Sequence, residues 1–392
     1  MRSEGSGWTF PPLLARIQDR VSLWDREGEF SLDIDAFGQV SCSFVTTDVR
    51  RAEVPGRIGS TDVHVDIELP DGREIVLTRC AIPHRRVRFA MDVDTTEDWQ
   101  FLPTEVTVRA PSVRPTEIQF GIANLWFMAE GALAFGGHSF DMQPNPRNHY
   151  GPLGSDGTRL APVTHWATTD APLTGKTGDV WDCLRCLTDT ASMLCHERIA
   201  SPCYRLVDSE GRVGEFHHEL QSQWPAPRKH HLLYTRDHRS ALEAVGSSEV
   251  TKRFRELDLV RYVHFVLEAR RDDLPVELGL ASVLFALECL SGRWQIVERG
   301  SDPNHVAKRK LVEKLRCMNE ELGCVDSKYL GDWLRARLRN PLMHSGAVPT
   351  MTVSEIHEAT EELLVLATRI FFRLFGFVPD DTPQGQAPVG CA

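Results

Sequence analysis

Apolar and polar residues alternate in short runs between about residues 29 and 124, with the period of two that is typical of strands burying one face. Turn segments rich in Pro, Gly and Asp, such as AFGQ, LPDGRE and APSVRP, separate the runs. The runs are EFSLDID, QVSCSFV, DVHVDIEL, EIVLTRC, RVRFAMDV, TEVTVRA and TEIQFGI. They predict a β-rich N-terminal domain over residues 1–126, folded as an antiparallel sandwich or a partly closed barrel.

Residues 127–246 have a mixed pattern. Their Gly-, Pro- and Asn-rich stretch GGHSFDMQPNPRNHYGPLGSDG predicts a long surface loop. The stretch GDVWDCLRCLTDTASMLCHERIA has apolar residues near helical spacing, and CYRLVDSEGRVGEFHHEL predicts a hairpin that turns at SEGR. We interpret this part as a mixed α/β middle segment packed on one neighbour.

From about residue 247 the apolar positions follow helical periods. They predict helices over residues 249–271, 276–291, 303–322, 327–344 and 354–375, and therefore an all-α bundle over residues 247–378. Thr352 and Glu355 have the spacing of a capping box at the start of the last helix. Residues 379–392 are predicted to be a disordered tail. The whole chain is thus expected to be an α+β protein.

Composition and charge indicate a globular protein and limit the partners that it can bind through electrostatics. The chain has 392 residues, enough for two or three domains, and its hydrophobic fraction of 42% is typical of folded globular proteins. A net charge of -11 argues against broad electrostatic binding of nucleic acid or of an anionic membrane, although it leaves room for a local basic site. We identify no run of about 18 apolar residues and no signal peptide, and expect a cytoplasmic protein with no membrane partner.

Ten cysteines without dense, regular spacing fit a reducing compartment. Cys183 and Cys186 form a C-x-x-C pair, with Cys195 and Cys203 downstream, and four converging ligands of this kind would hold zinc. The pair lies in an apolar helical pattern, where cysteine is often only a small buried residue, and we favour that interpretation. No metal or cofactor is therefore expected. The absence of P-loop, Rossmann, HExxH and GxSxG motifs excludes the common NTPase, dehydrogenase, zincin and α/β-hydrolase classes.

The stretch RARLRNPLMHSG, residues 335–346, carries the strongest candidate chemistry. Arg339, Asn340 and His344 lie off the apolar face of the segment, and Asn340 and His344 are four residues apart, so that they share one face of a helix. Pro341 should bend or restart the helix there and let the Arg339 guanidinium turn towards the histidine. The apolar face itself is a leucine stripe with a four-residue period, at Leu330, Leu334, Leu338 and Leu342.

An arginine and a histidine at this separation are weak evidence by themselves, because similar pairs occur elsewhere in the chain, at Arg79 and His84, Arg212 and His217, and Arg299 and His305. A structural interpretation of the motif also stands beside the functional one. In it, Arg339 extends to solvent, Asn340 caps the helix, and His344 is buried and hydrogen-bonded.

The sequence LRNPLMHSG, on the penultimate predicted helix, resembles the motif of the HEPN domain family, in which an Arg, commonly followed by Asn, precedes a His by a few residues. The earlier stretch ELGLASVLFALECLSGR resembles the helix that accompanies this motif and carries an acidic residue near its end, here Glu288. The resemblance covers about residues 249–375 only. It is nearest to the ApeA-like HEPN ribonucleases of bacterial anti-phage defence, which also place a β-rich region before the bundle.

This resemblance implies a metal-independent endoribonuclease in which Arg339 and His344 of two subunits meet across the interface of a homodimer or a higher homo-oligomer. RNA carries its own nucleophile, the 2′-OH, so cleavage needs a base, an acid for the leaving 5′-oxygen and a cation for the phosphate. Histidine suits the proton transfers and arginine suits the phosphate. Asn340 would orient the phosphate or hold the site geometry. Glu288 would fix the arginine or the histidine, unless it only reaches solvent.

Basic residues near the motif are a candidate RNA-binding patch: Arg335 and Arg337 on the same segment, and Lys308, Arg309 and Lys310 on the preceding helix. A solvated helix face explains these charges equally well. The resemblance implies a toxic effector of abortive infection that cuts single-stranded or loop RNA such as tRNA, with the β-rich region sensing a phage-derived trigger. The alternative is a non-catalytic module that dimerises or binds RNA or nucleotide, which Pro341 favours because it could disrupt the active geometry.

Overall fold

The computed structural model describes residues 16–23, 25–34, 40–47, 63–90, 93–125, 130–144, 163–169, 177–219, 238–271, 274–331 and 333–378. The chain divides into two compact units. The first comprises Met1–Ala134, His138–Thr188 and Arg198–Lys229, and the second comprises Phe135–Gly137, Asp189–Glu197 and His230–Ala392. The predicted α+β class is confirmed, since one large antiparallel sheet occupies the N-terminal part and helices dominate the C-terminal part.

Thirteen described strands form the sheet. They are β1 (Arg16–Leu23), β2 (Arg26–Ile34), β3 (Val40–Thr46), β4 (Val63–Glu68), β5 (Glu74–Ala90), β6 (Val93–Leu102), β7 (Glu105–Arg109), β8 (Glu117–Ala123), β9 (Gly131–Phe135), β10 (His138–Pro144), β11 (Val163–Thr169), β12 (Ala200–Val207) and β13 (Val213–Glu219). Their spatial order is β1-β2-β3-β6-β5-β7-β13-β12-β8-β11-β10-β9, with β4 paired to β5.

The long strand β5 joins the two halves of this sheet. Its first half pairs with β4 and β7, and its second half pairs with β6. Buried and exposed residues alternate along strands such as β2, as the sequence pattern predicts. One core collects the inward side chains of β1 to β7 and of β11 to β13, with the large rings of Phe30, Phe44, Trp99 and Phe101 at its centre.

The alternating runs predict β2, β3, β4, β7 and β8 correctly, and the predicted hairpin is formed by β12 and β13. The run RVRFAMDV is not a separate strand, because most of it is the second half of β5. The stretch predicted as a long surface loop contains β10, and its residues 145–157 lie outside the described residues. Since β9 to β13 continue the sheet that β1 to β8 form before residue 126, the middle segment shares one sheet with the predicted N-terminal domain.

The described helices are α1 (Thr177–Cys195), α2 (His238–Val245), α3 (Val250–Leu257), α4 (Leu259–Glu268), α5 (Val276–Arg299), α6 (Pro303–Lys308), α7 (Leu311–Leu322), α8 (Asn340–Ser345) and α9 (Val353–Arg373). The helix predicted over residues 249–271 is broken at Asp258, where φ is 54°. The helix predicted over residues 303–322 is broken where the backbone of Lys310 is extended. Thr352 and Glu355 form the predicted capping box, and the tail at 379–392 lies outside the described residues.

Helix α5 is the central helix of the second unit and packs against α4, α7 and α9. Eleven of its residues are buried, which explains why its pattern is apolar almost all round. By length and composition α5 also meets the requirements for a membrane span, as core helices of soluble proteins do. Glu288 is one of the charged residues of this helix.

His196 is a buried histidine that follows α1 in the second unit. Its Nε2 lies 2.6 Å from Oγ1 of Thr368 on α9, and Thr368 itself donates to the carbonyl of Leu364 at 3.0 Å. The hydroxyl must then accept from His196, which places the ring proton on Nε2. Burial, followed by the charge of Arg270, lowers the pKa of His196 to about 3.

We predict that acid destabilises the second unit through His196. Its pKa in the folded chain lies below the value of about 6.5 for an exposed histidine, so the unfolded chain binds the proton first and stability falls as the pH decreases below about 6.5. Urea unfolding followed by circular dichroism at about pH 7 and about pH 5 will measure this loss. His196→Asn removes the imidazole that takes up the proton, so it should reduce the loss. Asparagine is chosen because it tolerates the φ of 52° at this position. An equal loss in both chains would contradict the prediction.

Candidate functional site

The candidate motif lies where a π-helical segment, Trp333–Arg339, passes into α8. Leu334, Leu338 and Leu342 of the predicted stripe are buried. Leu334 and Leu338 lie on the π-helical segment and Leu342 lies on α8. Leu330 ends a separate 3-10 helix, Ser327–Leu330, and the backbone of Gly331 after it is extended, so the helix predicted over residues 327–344 is broken there. Pro341 lies in the first turn of α8, where its missing N–H costs least, so the chain changes from π to α geometry there and the helix continues.

Helix α8 is short, and its exposed end carries the histidine. Ser345 Oγ donates to the carbonyl of Pro341 at 2.7 Å, and Gly346 ends the helix with a φ of 70°. Asn340 and His344 are one turn apart on α8 and share a face. His344 is exposed, and its ring has no hydrogen-bond partner among the described residues. The interpretation of His344 as a buried, hydrogen-bonded histidine is therefore wrong.

Arg339 is held by Glu288 of α5. Nη2 and Nε of Arg339 lie 2.9 and 3.3 Å from the same oxygen, Oε2 of Glu288. The two side chains are 28% and 25% exposed, so the ion pair lies at the edge of solvent. Glu288 thus contacts the arginine and does not only reach solvent. The Nη1 group of Arg339 has no partner among the described residues, which leaves donors available for a bound anion.

Lys314 of α7 forms a cluster with Arg339 and Glu288. The sequence motif did not predict that Lys314 belongs to the site. Its ammonium lies 3.3 Å from Oε1 of Glu288, the oxygen that Arg339 does not use, and its side chain is only 7% exposed. The sequence does contain a signal, because Lys314 falls on the buried face of α7 between Leu311, Leu315 and Met318. A lysine on an apolar helix face requires an acidic partner.

Of the predicted RNA-binding residues before the motif, Arg309 is engaged within the fold. Its Nη1 donates to Oε1 of Gln295 at 2.7 Å, and its Nη2 lies 3.2 Å from Nε2 of His305. Lys308 and Lys310 are exposed on either side of it. The two lysines therefore remain candidates for contact with a phosphate backbone, and Arg309 has a structural role.

Arg335 and Arg337 are both exposed on the π-helical segment. Hydrogen bonds from Thr352, followed by the charge of Arg337, hold the pKa of Glu355 below its ordinary value. Arg337 consequently has an acidic neighbour at the start of α9, which weakens the positive potential on that side of the predicted patch.

The four cysteines considered as zinc ligands do not converge. Cys183, Cys186, Cys195 and Cys203 are all buried, and no group of His, Cys, Asp or Glu in the described part of the chain is placed to hold a metal ion. Burial raises the pKa of the Cys183 and Cys203 thiols to about 12, and it raises that of Cys195 as well. The structure agrees with the interpretation of small buried residues.

The site is thus a cluster of two cations around one carboxylate, beside an exposed histidine and a half-buried asparagine on α8. The cluster carries one net positive charge at the edge of solvent, an arrangement that favours an anionic ligand. No protein-family model, curated protein or solved structure matches the chain significantly.

Proposed function

We propose that the chain is a HEPN-type, metal-independent endoribonuclease. The observation that carries the proposal is the presence, at one helix junction, of an exposed histidine and of an arginine whose guanidinium Glu288 orients. His344 is accessible to a substrate, and Arg339 keeps unpaired donors for a phosphate. These are the residue types that the resemblance to the HEPN family assigns to catalysis.

The reaction is the attack of the RNA 2′-oxygen on the adjacent phosphorus. The O2′–P bond forms as the P–O5′ bond breaks, a base accepts the 2′-OH proton, and an acid supplies a proton to the leaving 5′-oxygen. His344 would transfer protons, Arg339 would stabilise the charge on the phosphate oxygens, and Asn340 would orient the phosphate. A homodimer would supply a second histidine, so that base and acid come from different subunits.

The biological setting follows from the same resemblance. A cytoplasmic nuclease of this type would act as the toxic effector of abortive infection, cleaving single-stranded or loop RNA such as tRNA after a phage-derived trigger. Lys308 and Lys310 would add contacts to the RNA backbone despite the net charge of -11. The sheet-containing unit would be the sensor.

A second candidate function is a non-catalytic module that dimerises or binds RNA or nucleotide. One observation favours it: the ion pairs of Arg339 and Lys314 with Glu288 give the arginine a structural explanation. Another is that His344 has no orienting partner among the described residues. Pro341 does not favour the non-catalytic module, because the helix continues through this residue.

Sequencing of RNA ends from cells separates the two candidates. Induced expression of the wild-type chain should produce new RNA ends and arrest growth, whereas His344→Ala should produce neither. RNA ends that are the same with and without expression of the wild-type chain would favour the non-catalytic module.

We predict that Glu288→Gln lowers the rate of RNA cleavage by about 10- to 100-fold, because a misplaced catalytic group costs on that order. The matched control is Glu298→Gln on the same helix, since Glu298 pairs with Arg253 at 2.8 Å and is similarly exposed. The Arg253–Glu298 pair is partly solvated, so Glu298→Gln should lower the free energy of unfolding by no more than about 1 kcal/mol. Glu288→Gln also takes the carboxylate from the buried ammonium of Lys314 and should cost more, up to about 3–5 kcal/mol, so the cleavage rates are compared for chains shown to be folded. Equal cleavage rates of the two variants would contradict the role of Glu288.

A further inference from the structure

Lys314 is placed to fix the carboxylate that fixes the arginine. Its Nζ lies 3.3 Å from Oε1 of Glu288, while Nη2 of Arg339 lies 2.9 Å from Oε2. Each oxygen of the carboxylate thus has its own cation, which defines the rotation of the carboxylate plane. We infer that Lys314 is a positioning residue of the Arg339 site, an inference that rests on the proposed ribonuclease function.

Stability does not account for a lysine at this position. Its side chain is 7% exposed and lies on the apolar face of α7. Burying an ammonium costs several kcal/mol, and hydrophobic residues of similar volume often replace buried ion pairs without loss of stability. A methionine would fit the same apolar face beside Leu315 and Met318 without the cost of burying a charge.

The lysine is well placed to act through Glu288 and not directly on a substrate. Its side chain lies along α5, since a Cβ placed on Gly292 would lie 3.8 Å from Nζ. Glu288 precedes Gly292 by one helical turn, and the carboxylate separates Lys314 from Arg339. Without Lys314, Oε1 has no cation to hold it, and the carboxylate can rotate away from the Nε and Nη2 edge of the arginine.

The test compares Lys314→Met with Lys252→Met in the full-length chain. Lys252 is an exposed lysine that pairs with Glu249 on α3 at 3.1 Å, so its substitution controls for the loss of one ammonium. Lys314→Met should lower kcat for RNA cleavage by about 10- to 100-fold with little change in KM, and Lys252→Met should change neither. Lys314→Gln, which keeps an N–H donor but is shorter, should give a smaller loss in kcat and provides a second variant should Lys314→Met fold poorly.

A double-variant cycle separates positioning from a general structural effect. In chains that already carry Glu288→Gln, adding Lys314→Met should change kcat by less than about twofold, because the lysine acts through that carboxylate. The inference is overturned if the lysine variants that fold cleave RNA as the wild-type chain does, or if the two losses multiply. If the wild-type chain does not cleave RNA, the proposed function fails first and the inference fails with it.

Discussion

Purified His344→Ala is expected to cleave RNA about 10²–10⁴-fold more slowly than the wild-type chain, the range typical for removal of a group that transfers protons. The side chain is exposed and bonds to no described residue, so its removal should leave helical circular dichroism and thermal unfolding unchanged. Arg339→Ala should cause a comparable loss of cleavage. Because Glu288 is the only described residue that hydrogen-bonds or ion-pairs with the Arg339 side chain, that variant should also remain folded.

The control for this prediction is His357→Ala, which removes another exposed histidine, on α9, outside the motif. It should cleave RNA at the wild-type rate. If folded His344→Ala and His357→Ala are equally active, His344 has no part in catalysis and the non-catalytic module becomes the better account.

The second large effect is expected in the sheet, at the ion pair between Arg26 of β2 and Glu97 of β6. Nη1 of Arg26 lies 2.7 Å from Oε2 of Glu97, and the two side chains are 3% and 0% exposed. Glu97→Leu removes the carboxylate of this pair from beside a guanidinium that stays buried. Removing one partner of a buried pair costs about 3–5 kcal/mol, so we expect the free energy of unfolding of the first unit to fall by that amount.

Two further variants serve as controls for the predicted loss of stability. Replacing both partners, Arg26→Met with Glu97→Leu, should recover most of the lost stability, because no buried charge then remains. Glu362→Leu breaks an ion pair with Lys328 in which both partners are about half exposed, and should cost less than about 1 kcal/mol. Urea unfolding will measure all three, and equal losses in Glu97→Leu and Glu362→Leu would contradict the account of the buried pair.

The sequence pattern predicted most of the local structure, because alternation and helical periods report directly on which face of an element is buried. It failed where one element carries two patterns, as in β5, which pairs with β4 and β7 in one half and with β6 in the other. It also failed at Asp258, where a left-handed backbone conformation interrupts an otherwise continuous helical period. Neither the change of partner strands along β5 nor the helix break at Asp258 alters the pattern of apolar residues.

The sequence predicted only part of the candidate site, because it reports residues that are close together along the chain. Arg339, Asn340 and His344 are local in sequence, and the family resemblance added Glu288. Lys314 belongs to the cluster through contacts among α5, α7 and the π-helical segment, and no local pattern reports such a contact. The ion pair of the sheet joins residues 71 positions apart and was likewise invisible to local analysis.

The chemistry of the cleaved RNA ends tests the central claim most directly. Purified wild-type chain, incubated with RNA and a chelator, should give products with 2′,3′-cyclic phosphate and 5′-hydroxyl ends, because the 2′-oxygen attacks and the 5′-oxygen leaves. His344→Ala should give almost none. Products with 3′-hydroxyl and 5′-phosphate ends, cleavage that stops with the chelator, or cleavage that folded His344→Ala retains in full would each contradict a metal-independent HEPN-type ribonuclease.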